Sequence, residues 1–273
     1  MTLDRITKAL EQARQARAQK NTQAEAQTTW QSDQSEWVKE AGVELKQFSP
    51  DPDILERNRI QLPNSDNDLV QPYKILRTRL LQVIRQQQWN KIGVVSPAKY
   101  DGKTTLAINL AMSIANGLND KTVLLDLDLL NPSIGNYLGY QSETGVEHCF
   151  LTNLPLADVL MTPGVDGLAI APAMGAMKDS SEFLATDLSH KLLDEAAHVF
   201  EDNLVLVDLP PLLVSDDAIS VIPHLDAIII VIREGHTKRR DVEKSLELVQ
   251  GRNIAGIVLN DTRSSDVSGY YYY

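Results

Sequence analysis

The feature that most constrains this chain is a series of short, unbroken apolar runs: "KIGVVS", "TVLLDLD", "LAIAPA", "LVLVDLP", "AIIIVI" and "AGIVLN". They are strand-length, and they are too uniformly apolar to leave one face in water. Helical patterns separate most of them: "TTLAINLAMSIANGL", "DLSHKLLDEAAHVF" and "RRDVEKSLELVQ", with "VQPYKILRTRLLQVIRQ" preceding the first. Strands buried on both faces and alternating with helices predict an α/β fold, a doubly wound, mostly parallel sheet covered on both sides. At 273 residues and 43% hydrophobic content, the chain can bury one such core and still carry an extension.

The texture divides the chain into three parts. Over residues 1–68, Leu3, Ile6, Leu10 and Ala13 recur at helical spacing opposite Arg5, Lys8, Arg14 and Arg17, then a Gln-, Thr- and Ser-rich stretch follows. This reads as a short amphipathic helix and a flexible linker. Residues 69–262 hold the alternating pattern and residues 263–273 a tail. A net charge of -11 speaks against broad binding to nucleic acid. The single cysteine, Cys149, gives neither a disulfide nor metal-ligand spacing, which fits a reducing, cytoplasmic setting. No apolar stretch is long enough to span a bilayer, so membrane contact is expected to be peripheral, through a partner.

Between the first strand and its helix lies "SPAKYDGKTT". Its end, Gly102-Lys103-Thr104-Thr105, is that of a phosphate-binding loop, but Pro97 stands where the general pattern has its first glycine. A helix N-terminus after such a turn offers amides and a positive dipole end to phosphate, Lys103 can reach the outer phosphates and Thr104 can ligate Mg²⁺. Taken alone, the stretch is equally a βα turn capped by Asp101. The carboxylates shift the balance. "TVLL" runs into Asp126 and Asp128, and "LVLV" runs into Asp208. In an open parallel sheet ligands bind at the carboxyl ends of the strands, where these groups and the loop would converge to hold Mg²⁺ and take a proton. Each aspartate alone would more simply be a cap; together with GKT they point to nucleotide.

The ordered motifs "GKTT", "VLLDLDLLNPSIG", "SSEFL", "LVLVDLPPLLVSDDA", "VIREGHT" and "GIVLN" resemble the bacterial tyrosine autokinases of exopolysaccharide and capsule synthesis, in their stand-alone cytoplasmic form. The resemblance runs from about Val70 to the C-terminus and implies a fold related to the MinD and ParA ATPases. It also implies ATP and Mg²⁺ as cofactors and a membrane chain-length regulator of polysaccharide export as partner. By resemblance Lys103 and Thr104 belong to the first Walker motif, Asp126 and Asp128 to a second and Asp208 to Walker B, with Asp126 the general base and Asn260 near adenine. Thr104, Asp126 and Asp208 would hold the metal. Gln71, Lys74 and Arg77 stand where the family carries a Glu, Arg, Arg association pattern. Two positions depart from the family: Tyr100 replaces a glycine, and Leu130 replaces an arginine.

The tail "SSDVSGYYYY" places Tyr270, Tyr271, Tyr272 and Tyr273 in the last four positions, and resembles the family's phosphoacceptor cluster. A Ser- and Gly-rich run before them is expected to let the tail enter a neighbouring subunit's site. The five histidines show no ligand spacing, and none is assigned to catalysis. The reading is an ATP-dependent protein-tyrosine autokinase of polysaccharide export that forms homo-oligomers and modifies itself in trans. Two alternatives stay open: a non-catalytic nucleotide-binding adaptor, and a MinD or ParA type ATPase switch. Replacing Lys103 by Met is expected to remove nucleotide affinity with little loss of fold.

Overall fold

The apolar runs become one eight-stranded sheet in the order β1-β4-β5-β3-β6-β2-β7-β8. The strands are β1 (Lys46–Gln47), β2 (Lys91–Val95), β3 (Lys121–Asp126), β4 (Met161–Thr162), β5 (Leu168–Ala171), β6 (Asn203–Asp208), β7 (Ala227–Arg233) and β8 (Ile254–Asn260). The computed structural model describes residues 45–63, 69–117, 120–200 and 202–262. The expected N-terminal amphipathic helix and the four terminal tyrosines lie outside the described residues. All neighbouring strands run parallel except β4 and β5, which are antiparallel.

Every residue of β6 is buried, as is all of β3 after Lys121. That is why these runs show no polar alternation: each face of the sheet is covered by its own apolar layer. The helix Lys103–Ala115 forms the centre of one layer, and every residue in it except Thr105 is buried. A helix apolar all round needs a further cover. The helix Val70–Gln87 supplies part of it, and ends where Gln88 turns into the left-handed region at φ 58°.

Residues 45–63 supply the rest. Pro and Asp open the helix Pro52–Arg57, with Asp51 Oδ1 accepting from Asp53 N at 2.9 Å. Leu45, Leu55 and Ile60 are buried. Asn109, inside the central helix, donates to the carbonyl of Arg59 at 3.0 Å and accepts from Gln61 N at 2.6 Å. The folded unit therefore begins no later than Leu45, well before the boundary at 68/69 that composition suggests, because three apolar side chains and one buried amide tie this polar-looking segment down.

Parallel register sets the position of the site. Asp126 pairs with Asp208 across β3 and β6, and Asp208 pairs with Val94 across β6 and β2. Two carboxylates and the loop after β2 thus meet at one end of the three central strands, the place where an open α/β sheet binds its ligand.

Candidate functional site

The loop leaves β2 at Ser96 and enters the central helix at Lys103. Gly102 is the N-cap, at φ 93°, and no side chain caps the helix there. Glycine suits this position because the backbone is left-handed, and a Cβ would also displace the Asn260 side-chain amide. That amide donates from Nδ2 to the Asp101 carbonyl at 3.0 Å. Without a capping side chain, the first-turn amides are left as donors for an anion.

Lys103 carries the cation into this anion site, and it is itself buried. Its Nζ lies 2.7 Å from Asp128 Oδ2 and 3.3 Å from Asp208 Oδ1. Burial alone would lower its pKa, but the charges of Asp208 and then Asp128 outweigh burial and hold it above the ordinary lysine value. Thr104 Oγ1 donates to Asp208 Oδ2 at 2.6 Å and receives a hydrogen bond from Ser133 Oγ at 3.3 Å. Asp126 accepts from the backbone amides of Asp128, Ser133 and Ile134 at 3.3, 3.1 and 3.0 Å. Burial first, and then the charge of Asp208, push its pKa up. Asp208 is also raised, chiefly by burial.

Beside the loop lies a cavity of about 790 Å³, whose walls include Lys99, Tyr100, Gly102, Lys103, Thr104, Thr105, Asp128, Ser133, Arg233, Asn260 and Asp261. Its volume is in the range of small-molecule and cofactor sites. Among the described residues no group of three or more His, Cys, Asp or Glu side chains forms a ready metal cage. Thr104 Oγ1 and Asp208 Oδ2, 2.6 Å apart, are oxygen atoms of the kind that hard cations take as ligands.

A buried lysine and threonine at an uncapped helix start, facing strand-end aspartates, is the geometry of a P-loop. A family model described as ParA, NUBPL iron-transfer P-loop NTPase, matches residues 88–265. The chain belongs to this family. It is similar to the tyrosine-protein kinase ptk of Acinetobacter johnsonii, 26% identical over 214 residues, covering 77% of this chain and 28% of that protein. It is also similar to the tyrosine-protein kinase CpsD of Streptococcus agalactiae, 27% identical over 180 residues, covering 64% of this chain and 77% of that one. Among solved structures, the kinase domain of the Escherichia coli tyrosine kinase ETK superposes with a TM-score of 0.67 at 25% identity, covering 84% of this chain and 94% of that domain. The chain thus spans little more than a quarter of the Acinetobacter protein, which is much longer.

In this ParA-family NTPase the residues singled out from sequence fall into three groups. Lys103, Thr104, Asp126, Asp128 and Asp208 come together, and of the three aspartates Asp128 alone lines the cavity. Asp101 and Asn260 are in the site as loop braces. Fully buried Asp101 accepts from Ala98 N at 3.0 Å and from Thr237 Oγ1 at 2.7 Å, and lies 3.0 Å from His236 Nδ1. Gln71, Lys74 and Arg77 are on the helix Val70–Gln87 but, unlike its Pro72, Tyr73 and Leu76, do not line the cavity; Gln71 is exposed and Arg77 Nη1 donates to the Ser113 carbonyl at 2.7 Å. Sequence reasoning passed over His236, Ser133 and Arg233. The signal for His236 and Arg233 was their place in "VIREGHT", immediately after an apolar strand whose carboxyl end had to face the site.

Proposed function

We propose that this P-loop NTPase is an ATP-dependent protein-tyrosine autokinase that takes part in controlling exopolysaccharide or capsule synthesis and export. The observation that carries the reading is the buried cluster of Lys103, Thr104, Asp128 and Asp208 opening onto a cavity from whose rim the C-terminal tail departs. Asp261 and Thr262, the last described residues before the tyrosine tail, both line that cavity. Thr262 of one copy is therefore beside its own site, and the tail of a second copy would supply the acceptor tyrosines. One cysteine in 273 residues offers iron no thiolate pair, so the iron-transfer wording of the family model is not carried over.

ATP would be held by the loop amides, Lys103, Thr104 and Thr105, with Asn260 toward the base. Mg²⁺ would be held by Thr104 and Asp208, with Asp126 behind them, and would supply charge neutralisation at the transferring phosphoryl group. The chain's own residues do the rest. Lys103 leaves its carboxylate partners for phosphate oxygens, a tyrosine hydroxyl from Tyr270 to Tyr273 of a second copy attacks the γ-phosphorus in line as the bond to the β-phosphate oxygen breaks and ADP leaves, and the hydroxyl proton passes to a strand-end carboxylate, Asp126 or Asp128. Asp128 lines the cavity and would meet that proton first, while Asp126, the base the resemblance implies, lies deeper, has its pKa raised by burial and would accept only in its ionised form. Modified tails, each tyrosine carrying up to about two negative charges, would repel one another and the acidic domain, dispersing the oligomer. A membrane chain-length regulator is the partner this cycle would serve, and it would bring the protein to the inner face of the plasma membrane.

A mixing experiment tests the transfer. A Lys103→Met chain with an intact tail, or a free peptide of residues 262–273, is combined with Mg-ATP and a chain lacking Tyr270 to Tyr273. Phosphotyrosine on the acceptor only in the mixture supports the reading. An unmodified acceptor alongside ATP hydrolysis would favour the ATPase switch. Binding without turnover would favour the adaptor, the reading that the Tyr100 and Leu130 departures support.

A further inference from the structure

The phosphate loop holds Tyr100 at φ 68°. A bulky residue is disfavoured in the left-handed region, and something must keep it there. Packing of its ring does not, because Tyr100 is 82% exposed. Instead its carbonyl oxygen accepts from Arg233 Nη1 at 3.3 Å. Arg233 is fixed in turn: its Nε and Nη2 donate to Asp261 Oδ2 at 2.9 and 2.6 Å. The other oxygen of Asp261 accepts from Arg59 Nη1 at 3.3 Å. Asp261, at φ 54°, and Arg59, at φ 56°, are also left-handed without being glycine.

Tyr100, Arg233, Asp261 and Arg59 thus form one hydrogen-bonded run along the cavity rim, and all four line that cavity. They come from the phosphate loop, the end of β7, the residue after β8 and the segment that precedes the domain's first long helix. Strained backbone persists where its surroundings over-determine it, and such positions gather at ligand clamps. Here three strained positions are joined through two guanidiniums, that of Arg233 between Tyr100 and Asp261 and that of Arg59 on the other oxygen of Asp261.

We infer that Arg233 is a positioning residue that clamps the phosphate loop in its binding shape, and that Arg59 couples this shape to residues 45–63. The inference rests on the nucleotide reading and adds its regulation: displacement of that segment, by a partner or by the chain ahead of it, loosens the loop. One planar fork reaches a carboxylate and a carbonyl together, which a lysine ammonium at the same position does not.

Two readouts on the full chain test the clamp: backbone amide exchange of residues 98–102 without nucleotide, and Mg-ATP affinity by calorimetry. Arg233→Ala should speed loop exchange and weaken ATP about tenfold, the scale of one hydrogen bond to a charged group, with β6 exchange unchanged. Arg233→Lys should not rescue it. Arg59→Ala should weaken ATP only about two- to threefold, because its pair is exposed. In a Tyr100→Gly background, Arg233→Ala should cost no more than about twofold, since glycine keeps a positive φ unaided. A full tenfold loss in that background, or unchanged loop exchange in Arg233→Ala, would overturn the clamp. Should the unaltered protein fail to bind Mg-ATP, the nucleotide reading falls, and loop exchange still decides the clamp.

Discussion

Lys103 and Asp128 line the floor of the cavity and Asp126 and Asp208 lie beneath it, each less than a tenth exposed, whereas at its rim Tyr100, Arg233, Asp261 and Arg59 stand partly or largely in solvent. Both regions are held by opposite charges, but the same pairing has different consequences in the two. In the floor, the strands have already removed the carboxylates from water, so every charge depends on its partner. At the rim, water and salt screen each pair, and what remains is geometry, the placing of a loop carbonyl. Floor changes should therefore appear in stability as well as in binding, and rim changes in binding alone.

The largest effect expected is on Lys103. Because it neutralises two buried carboxylates, Lys103→Met should destabilise the protein without nucleotide by about 3–5 kcal/mol near neutral pH, in addition to abolishing ATP binding. The expectation drawn from sequence, little loss of fold, took no account of these two buried contacts. Denaturant titration checks it, and an unchanged midpoint would erase the contrast between floor and rim.

Gly102→Ala comes next. The left-handed backbone should cost about 1–3 kcal/mol, and the displaced Asn260 amide should weaken ATP binding with it. Stability and affinity falling together would join the floor to the rim at this one residue; a loss of affinity alone would assign Gly102 to the rim.

A smaller effect lies in pH. Asp126 and Asp208 titrate above the ordinary aspartate value when folded. Their contribution to stability is complete below the unfolded pKa and is lost as pH rises through the folded values. Stability without nucleotide should thus decline from acid toward neutral and alkaline pH, and Asp126→Asn should flatten that slope. A slope of the opposite sign would mean that Lys103 more than compensates for both groups.

The smallest effect separates the regions by salt. Raising ionic strength should speed exchange in loop residues 98–102 while leaving the central helix, whose partners are buried, unaltered.

How much of this was legible in the sequence follows from the same distinction. β2, β3, β5, β6 and β7 were readable because strands buried on both sides are continuous apolar runs, whereas β8 showed the same apolar run but is the edge strand, with Ile257 and Leu259 exposed; the aspartates of the floor were readable because they end such runs. β1 and β4 were not, since a two-residue strand carries no period, and the antiparallel pairing of β4 with β5 has no local mark. Residues 45–63 looked like linker because their hold on the core rests on three isolated apolar side chains and on Asn109, distant in sequence. The rim was illegible for a related reason: Arg233 reaches Tyr100 across much of the chain, and an exposed arginine after a strand looks like any solvated charge. Tyr100 itself stood out in the sequence only as a departure from a glycine of the family. In the structure its ring points to solvent and its carbonyl is held, so the residue is accommodated by a contact that no spacing rule describes.

The central claim, that this P-loop transfers phosphate to the chain's own tyrosines, is tested most directly by incubating the purified full chain with Mg-ATP and measuring its intact mass, followed by mapping of the tail peptide. The account predicts stepwise addition of phosphoryl groups at Tyr270 to Tyr273, abolished by Lys103→Met. An unmodified mass in a sample that demonstrably binds ATP would contradict it.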